Sequence, residues 1–458
     1  MEKKTETQVI SDILERGTTS FIDPQGEFKK KLEGKIAGTY TKDIHIKFGV
    51  DPTRPDIHIG HAVILRKLRK LQDMGCKVIF LVGDFTAHIG DPTGKSKVRP
   101  EIEQSEIEAN MKTYLEQVGK ILDTRKEVFT WIRNSDWFVN VTDLAPHAKL
   151  SIKYRMAQIN PNSFIGKSIL YSETRMQKTH LNKNEITAVT LKGLLWTLKH
   201  ITHAQLIERD MFQERLKSGS ELYMHEMLYP VLQGVDSYVL YKIYGGCDLE
   251  IGGSDQTFNM LMGRSIMKAN GLPEQSVLSC ELIVGTDGNQ KMSKSLDNYI
   301  SIIDAPSDMF GKVMSIPDEI ITQYAMLATY ISEDEIEVMR KELSEGKVNP
   351  RDSKARIARA VVSIYHGEAK AEHAEEQFTN TFSKKGVPDE IPEVALLENE
   401  SLLDVLVRAK CVDSKSEGRR LFKSKSIKKL PENTILEDDA PAEQGEYKIG
   451  KHRFLRIK

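Results

Sequence analysis

Two short stretches carry residue types that could act on phosphate. His58-Ile59-Gly60-His61 sets two imidazoles two residues apart around a glycine, and Lys291-Met292-Ser293-Lys294-Ser295 sets two lysines three positions apart. Paired imidazoles can donate to phosphate oxygens from one side, and two lysines at this spacing can reach one triphosphate as point charges. Gly60 allows a flat ring or a phosphate to approach the backbone closely. Each stretch has a plainer reading: surface histidines beside a helix start, and a solvated basic loop. Their order and domain-sized separation argue against two independent accidents.

The elements that must position them are legible. Ile44–Val50 alternates as a strand, and Ala62-Val63-Ile64-Leu65 with Leu68 and Leu71 recurs at helical spacing. The first histidine pair therefore lies where a strand hands over to a helix, whose first amides are unpaired and suited to anions. Lys77–Val82, closed by Gly83-Asp84, is an apolar run expected of a strand buried on both faces. Strand, helix and strand make one βαβ unit of a parallel sheet, which gathers ligands beyond the carboxyl ends of its strands. In the loop that follows, Gly94-Lys95-Ser96 imitates a P-loop, but Ile89 stands where that motif needs its first glycine. Gly285, Asp287 and Gly288 give the lysine stretch the composition of a mobile loop.

At 458 residues the chain exceeds one core, and 40% hydrophobic content is that of a globular protein. No apolar run reaches the roughly 20 residues that span a bilayer, so no membrane association is expected. The polar N-terminus lacks the apolar centre of a secretory signal. Cys76, Cys247, Cys280 and Cys411 are scattered with no CxxC pair, which argues against a zinc site or disulfide frame and for a cytoplasmic location. A net charge of −1 excludes a global polycation, so nucleic-acid binding would need local basic surface.

With HIGH followed by KMSKS, the sequence resembles a class I aminoacyl-tRNA synthetase, and more narrowly a bacterial-type tyrosyl-tRNA synthetase. The resemblance implies an α/β fold: a Rossmann-like parallel-sheet catalytic domain over 1–299, an α-helical anticodon-side domain over 300–382, a linker over 383–400 and a small α+β RNA-binding module over 401–458. An insert is expected near 146–184.

The resemblance also implies residue roles. Thr53, His58, His61, Lys291 and Lys294, with Lys95 and Arg99 from the loop after GDP, would stabilise the reacting phosphates. Gly49, Asp51, Gly60, Gly252, Asp255, Met292, Ser293 and Ser295 would hold ATP, with Asp255 on the ribose and Gly252 and Gly253 leaving bare backbone for adenosine. Asp91, Tyr229, Gln233, Asp236, Gln256 and Lys47 would hold tyrosine. Tyr229, Gln233 and Asp236 fall at i, i+4 and i+7, so a helix projects them from one face. A phenol, an amide and a carboxylate are poor core material unless they bind something or line a polar helix–helix contact. At Lys47 the better-known bacterial branch has a tyrosine, which places this chain closer to the second branch.

Lys415, Arg419, Arg420 and Lys423 begin a basic stripe suited to RNA phosphates, opposed within it only by Glu417; the usual Gly-Gly turn of such modules is replaced by Lys425-Ser426. The implied reaction joins L-tyrosine to ATP and passes it to tRNA(Tyr), with Mg2+ on the phosphates, no tightly bound cofactor, no protein metal site and a homodimeric assembly. A tryptophanyl enzyme, a small nucleotidylyltransferase with an HxGH motif and an idle RNA-binding paralogue are the competing readings.

Overall fold

The computed structural model describes residues 6–93, 102–138, 165–167, 187–189, 191–383, 391–397, 400–412, 414–430, 434–436, 440–450 and 453–458. It divides into two units, Met1–Ile303 with Thr322–Glu337, and Asp304–Ile321 with Val338–Lys458. Most of the expected insert lies outside the described residues.

The first unit is built on β1 (Thr18–Ile22), β2 (His45–Val50), β3 (Lys77–Val82), β4 (Phe129–Arg133), the short antiparallel pair β5 (Ile165–Lys167) and β6 (Thr187–Val189), β7 (Leu249–Gly253) and β8 (Ser276–Cys280). Six of these form one sheet in the order β1-β8-β7-β2-β3-β4. The apolar run of β3 is buried, as a strand covered on both faces requires. It pairs in parallel with β2, Phe48 against Phe80 and Val50 against Val82. The chain runs from β2 outward to β3 and β4, then returns to β7 and β8 on the other side of β2. The order therefore reverses between β7 and β2, and a crevice opens beyond their carboxyl ends. The mixed α/β class with a parallel core is the expected one.

One strand was not expected. Thr18–Ile22 lies in the polar N-terminal stretch between helices Glu6–Glu15 and Glu27–Ile36, yet it adds an antiparallel edge to β8. Its sequence, TTSFI, is β-branched and aromatic, and that local preference outweighs its helical flanks.

The helix Ile59–Asp73 follows β2 and buries Ala62, Leu65, Leu68 and Leu71. Helix Met224–Tyr244 packs on helix Thr257–Ala269 where Gly234 meets Gly263; a Cβ at Gly234 would sit 2.8 Å from Ile266 and 3.0 Å from the Gly263 nitrogen. That close approach brings the first helix's polar face down beside β7. The four cysteines are buried and free.

In the second unit, Asn349 caps helix Pro350–His366 by accepting from the Arg351 amide at 3.0 Å, with Pro350 in the first turn. Helices Pro306–Met314 and Glu368–Ser383 belong to the same unit. Strands β9 (Glu393–Val394), β10 (Ile427–Leu430), β11 (Thr434–Ile435), β12 (Gly445–Ile449) and β13 (Arg453–Ile457) make a second sheet, ordered β11-β10-β12-β13-β9. With helices Leu402–Arg408 and Lys415–Lys423 it encloses its own core of Leu402, Leu406, Phe422, Ile427, Tyr447 and Leu455. Lys425 keeps a left-handed turn at φ 56° without glycine, and its amide and that of Ser426 close onto Phe422 and Leu421.

Candidate active site

The helix start holding the two histidines differs from its sequence reading. The Ile59 amide is not free: it donates to the Ile300 carbonyl at 3.0 Å, just beyond the lysine stretch. The His61 amide turns back to the His58 carbonyl at 2.9 Å. Anion binding here would thus rest on side chains more than on open amides. The group that comes close to Gly60 is the His58 ring, 2.9 Å from where a Cβ would stand.

The two rings lie 3.8 Å apart. Burial, then the charges of Lys294 and Lys291, holds His61 down to about 3. Burial and then His61 push His58 well below its usual value. Both are therefore neutral at any working pH. His61 Nδ1 accepts from the His58 amide at 3.3 Å, which assigns the ring proton to Nε2 and leaves that atom a donor.

The lysine stretch returns to the same place. Lys294 Nζ lies 4.9 Å from the centre of the Tyr114 ring and donates to its hydroxyl at 3.1 Å, while the His61 ring is 6.4 Å from the same phenol. Burial lowers the Lys294 ammonium to about 8. Lys291 pairs with Asp255 at 2.6 Å. The stretch read as mobile is tied down: the Asn298 side chain accepts from the Ser293 amide at 2.8 Å and donates to Asp287 at 3.0 Å and the Lys291 carbonyl at 3.3 Å. Met292 is buried, its amide bonded to Ile283.

Around the ends of β2 and β7 the polar residues are joined to one another. Tyr229 donates to Asp51 Oδ2 at 2.8 Å, and Thr86 donates to Asp51 Oδ1 at 2.8 Å. Gln256 donates to Asp91 at 2.6 Å. Thr53 sits in the loop from Asp51 to His58, its amide bonded to the Asp51 carbonyl at 2.8 Å. Gly49, next to last in β2, pairs with Leu81. Gly252 and Gly253 are crowded by Met260, Gln256 and Leu282, so the chain's own side chains already lie against that backbone.

Gln233 and Asp236 face inward with Tyr229. Asp236 is fully buried and accepts from the Trp137 indole at 2.9 Å; burial pushes its carboxyl up to about 7 against the lowering effect of Lys47. Lys47 does not present a spare donor. Its ammonium is spent on the Gln233 carbonyl at 2.8 Å, the Ser237 hydroxyl at 2.8 Å and Glu250 at 2.9 Å. Glu250, its register partner across β2 and β7, also accepts from Gln233, Ser237 and Gln275. Lys47 therefore supports the pocket from beneath. Lys95 and Arg99 lie outside the described residues, as does the side chain of Ser295.

In the second unit, Arg419, Arg420 and Lys423 lie exposed on one helix. Lys415 pairs at 2.6 Å with Asp404, a counter-charge from outside the stripe, while Glu417 within it is engaged by Arg453 at 2.8 Å.

Sequence reasoning missed Asn110, Tyr114 and Gln117. These stand at i, i+4 and i+7 on helix Gln104–Val118, the same spacing as Tyr229, Gln233 and Asp236. Asn110 donates to the Pro52 carbonyl at 3.0 Å, and Gln117 donates to Pro55 at 2.8 Å and accepts from the Ile57 amide at 2.7 Å. Asn110 and Gln117 thus hold the loop from Pro52 to Ile57 that leads to His58, while Tyr114 meets Lys294 and the His61 ring. Glu250 was missed for another reason: β7 is short, and nothing local marks its carboxylate as buried.

Residues 39–383 match the family of class I tRNA synthetases for tryptophan and tyrosine. Among similar proteins, a tyrosine–tRNA ligase 2 of Vibrio vulnificus is 36% identical over 448 residues, 97% of each chain. A tyrosine–tRNA ligase of Thermotoga maritima is 37% identical over 450 residues, 97% of this chain and 96% of that one. The fold is that of a truncated mitochondrial tyrosyl-tRNA synthetase from Aspergillus nidulans, at a TM-score of 0.55 and 20% identity over 83% of this chain and 95% of the other. A tyrosyl-tRNA synthetase from Archaeoglobus fulgidus, solved with L-tyrosine, gives 0.52 at 18% identity over 81% and 99%. The chain belongs to the class I tRNA synthetases. Within that class its similar proteins at this identity are bacterial tyrosine–tRNA ligases.

Proposed function

We propose that this protein is a tyrosine–tRNA ligase. It activates L-tyrosine with ATP and transfers the tyrosyl group to the 3′ end of tRNA(Tyr). The observation that carries this reading is the meeting of His61 and Lys294 against one phenol ring, beyond the strand ends where the sheet order reverses.

In the first step a tyrosine carboxylate oxygen bonds to the α-phosphorus while the bond to the β-phosphate oxygen breaks, releasing pyrophosphate. The tRNA 3′ hydroxyl then attacks the tyrosyl carbonyl and AMP leaves. No side chain becomes covalent, so the protein positions groups and neutralises developing charge. Neutral His61 donates from Nε2, and His58 lines the same helix start. Thr53 belongs to this group, and Lys294 and Lys291 bring positive charge from the opposite stretch. Lys95 and Arg99 complete the clamp on pyrophosphate. Asp255 takes the ribose, with Gly49, Asp51, Gly60, Gly252, Met292, Ser293 and Ser295 around the nucleotide.

Tyr229 and Asp91 receive the α-ammonium with Gln233, Gln256 lies near the carboxylate, and Asp236 accepts from the phenol hydroxyl. A carboxylate desolvated to receive a hydroxyl is left unpaired by phenylalanine, and tyrosyl-tRNA synthetases are the reference example of this selectivity. Magnesium arrives as part of the nucleotide substrate; among the described residues no group of three His, Cys, Asp or Glu is placed to hold a metal ion.

Arg419, Arg420 and Lys423, with Lys415 partly neutralised, form the RNA-phosphate surface of the module at 401–458, and the helices of 300–382 serve the anticodon side. Among the described residues no helix is long and apolar enough to cross a membrane. A cytoplasmic homodimer is the setting this reading implies.

The test is ATP–pyrophosphate exchange with each of the twenty amino acids. Exchange should depend on tyrosine. Exchange driven by tryptophan, or by none, would overturn the assignment.

A further inference from the structure

The polar end of the pocket contains a buried cation to which the reaction above gives no part. Arg209, just before helix Asp210–Lys217, is only 7% exposed. Its guanidinium lies 5.5 Å from the Phe212 ring centre and 5.6 Å from that of Phe258. An apolar side chain would fill that space without the cost of desolvating a charge. The charge is instead turned toward Asp91. Arg209 Nη2 donates to the Thr93 hydroxyl and stands 3.9 Å from Asp91 Oδ1. Nη1 is buried with no hydrogen-bond partner among the described residues.

The consequence lies in one proton. A threonine hydroxyl has a single hydrogen to give. Because Thr93 Oγ1 accepts from Arg209, that hydrogen is committed to Asp91 Oδ1, at 2.6 Å; the Thr93 amide donates to the same oxygen at 3.0 Å. The other carboxylate oxygen accepts from Gln256 at 2.6 Å, and Gln256 is itself oriented by Asn259 at 2.9 Å. The carboxylate is thus fixed on both oxygens, and the Thr93 oxygen that aims one of its donors is itself held by Arg209 and, more distantly, by Gln256 at 3.4 Å.

We propose that Arg209 is a positioning residue which, through Thr93, sets the Asp91 carboxylate to receive the amino acid's α-ammonium. This rests on the tyrosine-ligase reading above. Losing Arg209 removes the nearer of the two donors that hold the Thr93 oxygen, and the aim of its hydroxyl at Asp91 loosens although the Thr93 amide and Gln256 remain. The expected defect is specific to ligands that carry an ammonium group.

The experiment measures dissociation constants of three ligands by equilibrium dialysis: tyrosine, tyrosinol (ammonium and phenol, no carboxylate) and 3-(4-hydroxyphenyl)propionate (carboxylate and phenol, no ammonium). The variants are Arg209→Lys, Thr93→Val and Thr93→Ser. Arg209→Lys and Thr93→Val should weaken tyrosine and tyrosinol together by about tenfold. Both should leave the propionate and the KM for ATP within about twofold, and Thr93→Ser, which keeps the hydroxyl, should bind as wild type. Unchanged tyrosine binding in Arg209→Lys and Thr93→Val would overturn the inference. So would a loss for tyrosine but not tyrosinol, which would mean direct contact with the carboxylate, and so would an equal loss for all three ligands, which would mean general damage. Wild-type exchange without tyrosine dependence would instead sink the functional reading itself.

Discussion

Replacing Glu250 with glutamine should destabilise the first unit out of proportion to the change of one atom. Glu250 is 2% exposed and pairs with a fully buried Lys47 at 2.9 Å. Its two oxygens also accept from Gln233 at 3.1 Å, Ser237 at 3.1 Å and Gln275. All of these partners donate to it, so a glutamine amide there keeps one accepting oxygen and turns an NH2 group toward groups now placed as donors. Lys47 is left as a buried charge without its counter-ion, a change that costs about 3–5 kcal/mol. Pairing Glu250→Gln with Lys47→Met removes the orphaned charge, so the double variant should recover at least about 1 kcal/mol relative to the sum of the singles. Urea unfolding followed by intrinsic fluorescence, with tyrosine affinity measured on the same samples, reads both effects; tyrosine binding should weaken because Gln233 loses a partner. A single variant within about 1 kcal/mol of wild type, or strict additivity in the double, would refute the view that this pair supports the pocket.

Lys294→Ala should slow tyrosine activation by about 10²–10³-fold, the scale of one lost electrostatic donor, while tyrosine affinity stays nearly intact; pyrophosphate exchange and equilibrium dialysis separate the two. If Asp236, raised to about 7, receives the substrate hydroxyl as proposed, it does so more strongly when ionised, so tyrosine affinity should climb with pH through that value and the climb should vanish in Asp236→Asn. The same carboxyl binds its proton more tightly folded than unfolded. Its contribution to stability is therefore greatest below the unfolded value and is lost as pH rises through about 7, which pH-dependent unfolding of wild type and Asp236→Asn would reveal. Lys425→Gly should stabilise the C-terminal sheet by about 1 kcal/mol, because the turn at φ 56° suits glycine; amide exchange of Ile427 and Ile449 reports it.

The sheet was legible because its strands and first helix differ in period: KVIFLV is a continuous apolar run, and Leu65, Leu68 and Leu71 recur every three residues. The site was legible where chemistry concentrates in consecutive residues, as in the histidine and lysine stretches. It was not legible where function arises from register or from burial. Lys47 and Glu250 are neighbours only because β2 and β7 pair across a gap of some two hundred residues, and no local pattern states that. Tyr114 lies in a charged stretch of helical period that carries no motif of its own. The same i, i+4, i+7 test applied to Tyr229 would have raised Asn110, Tyr114 and Gln117, but without a flanking motif it would have raised many ordinary polar faces too. The amide at Ile59 was misread because its partner, the Ile300 carbonyl, comes from the far end of the unit's sequence.

The Lys291–Asp255 pair shows what the resting enzyme does with its own charges. Both members are partly open to water, so separating them takes only on the order of 0–1 kcal/mol. The carboxylate assigned to the sugar and the cation assigned to the phosphates occupy each other until a nucleotide offers both a better match. On that assignment a lone sugar or a lone phosphate would satisfy one half and strand the other, so the latch would favour the intact nucleotide over its fragments, and it would close again only once AMP, which carries the ribose, has left.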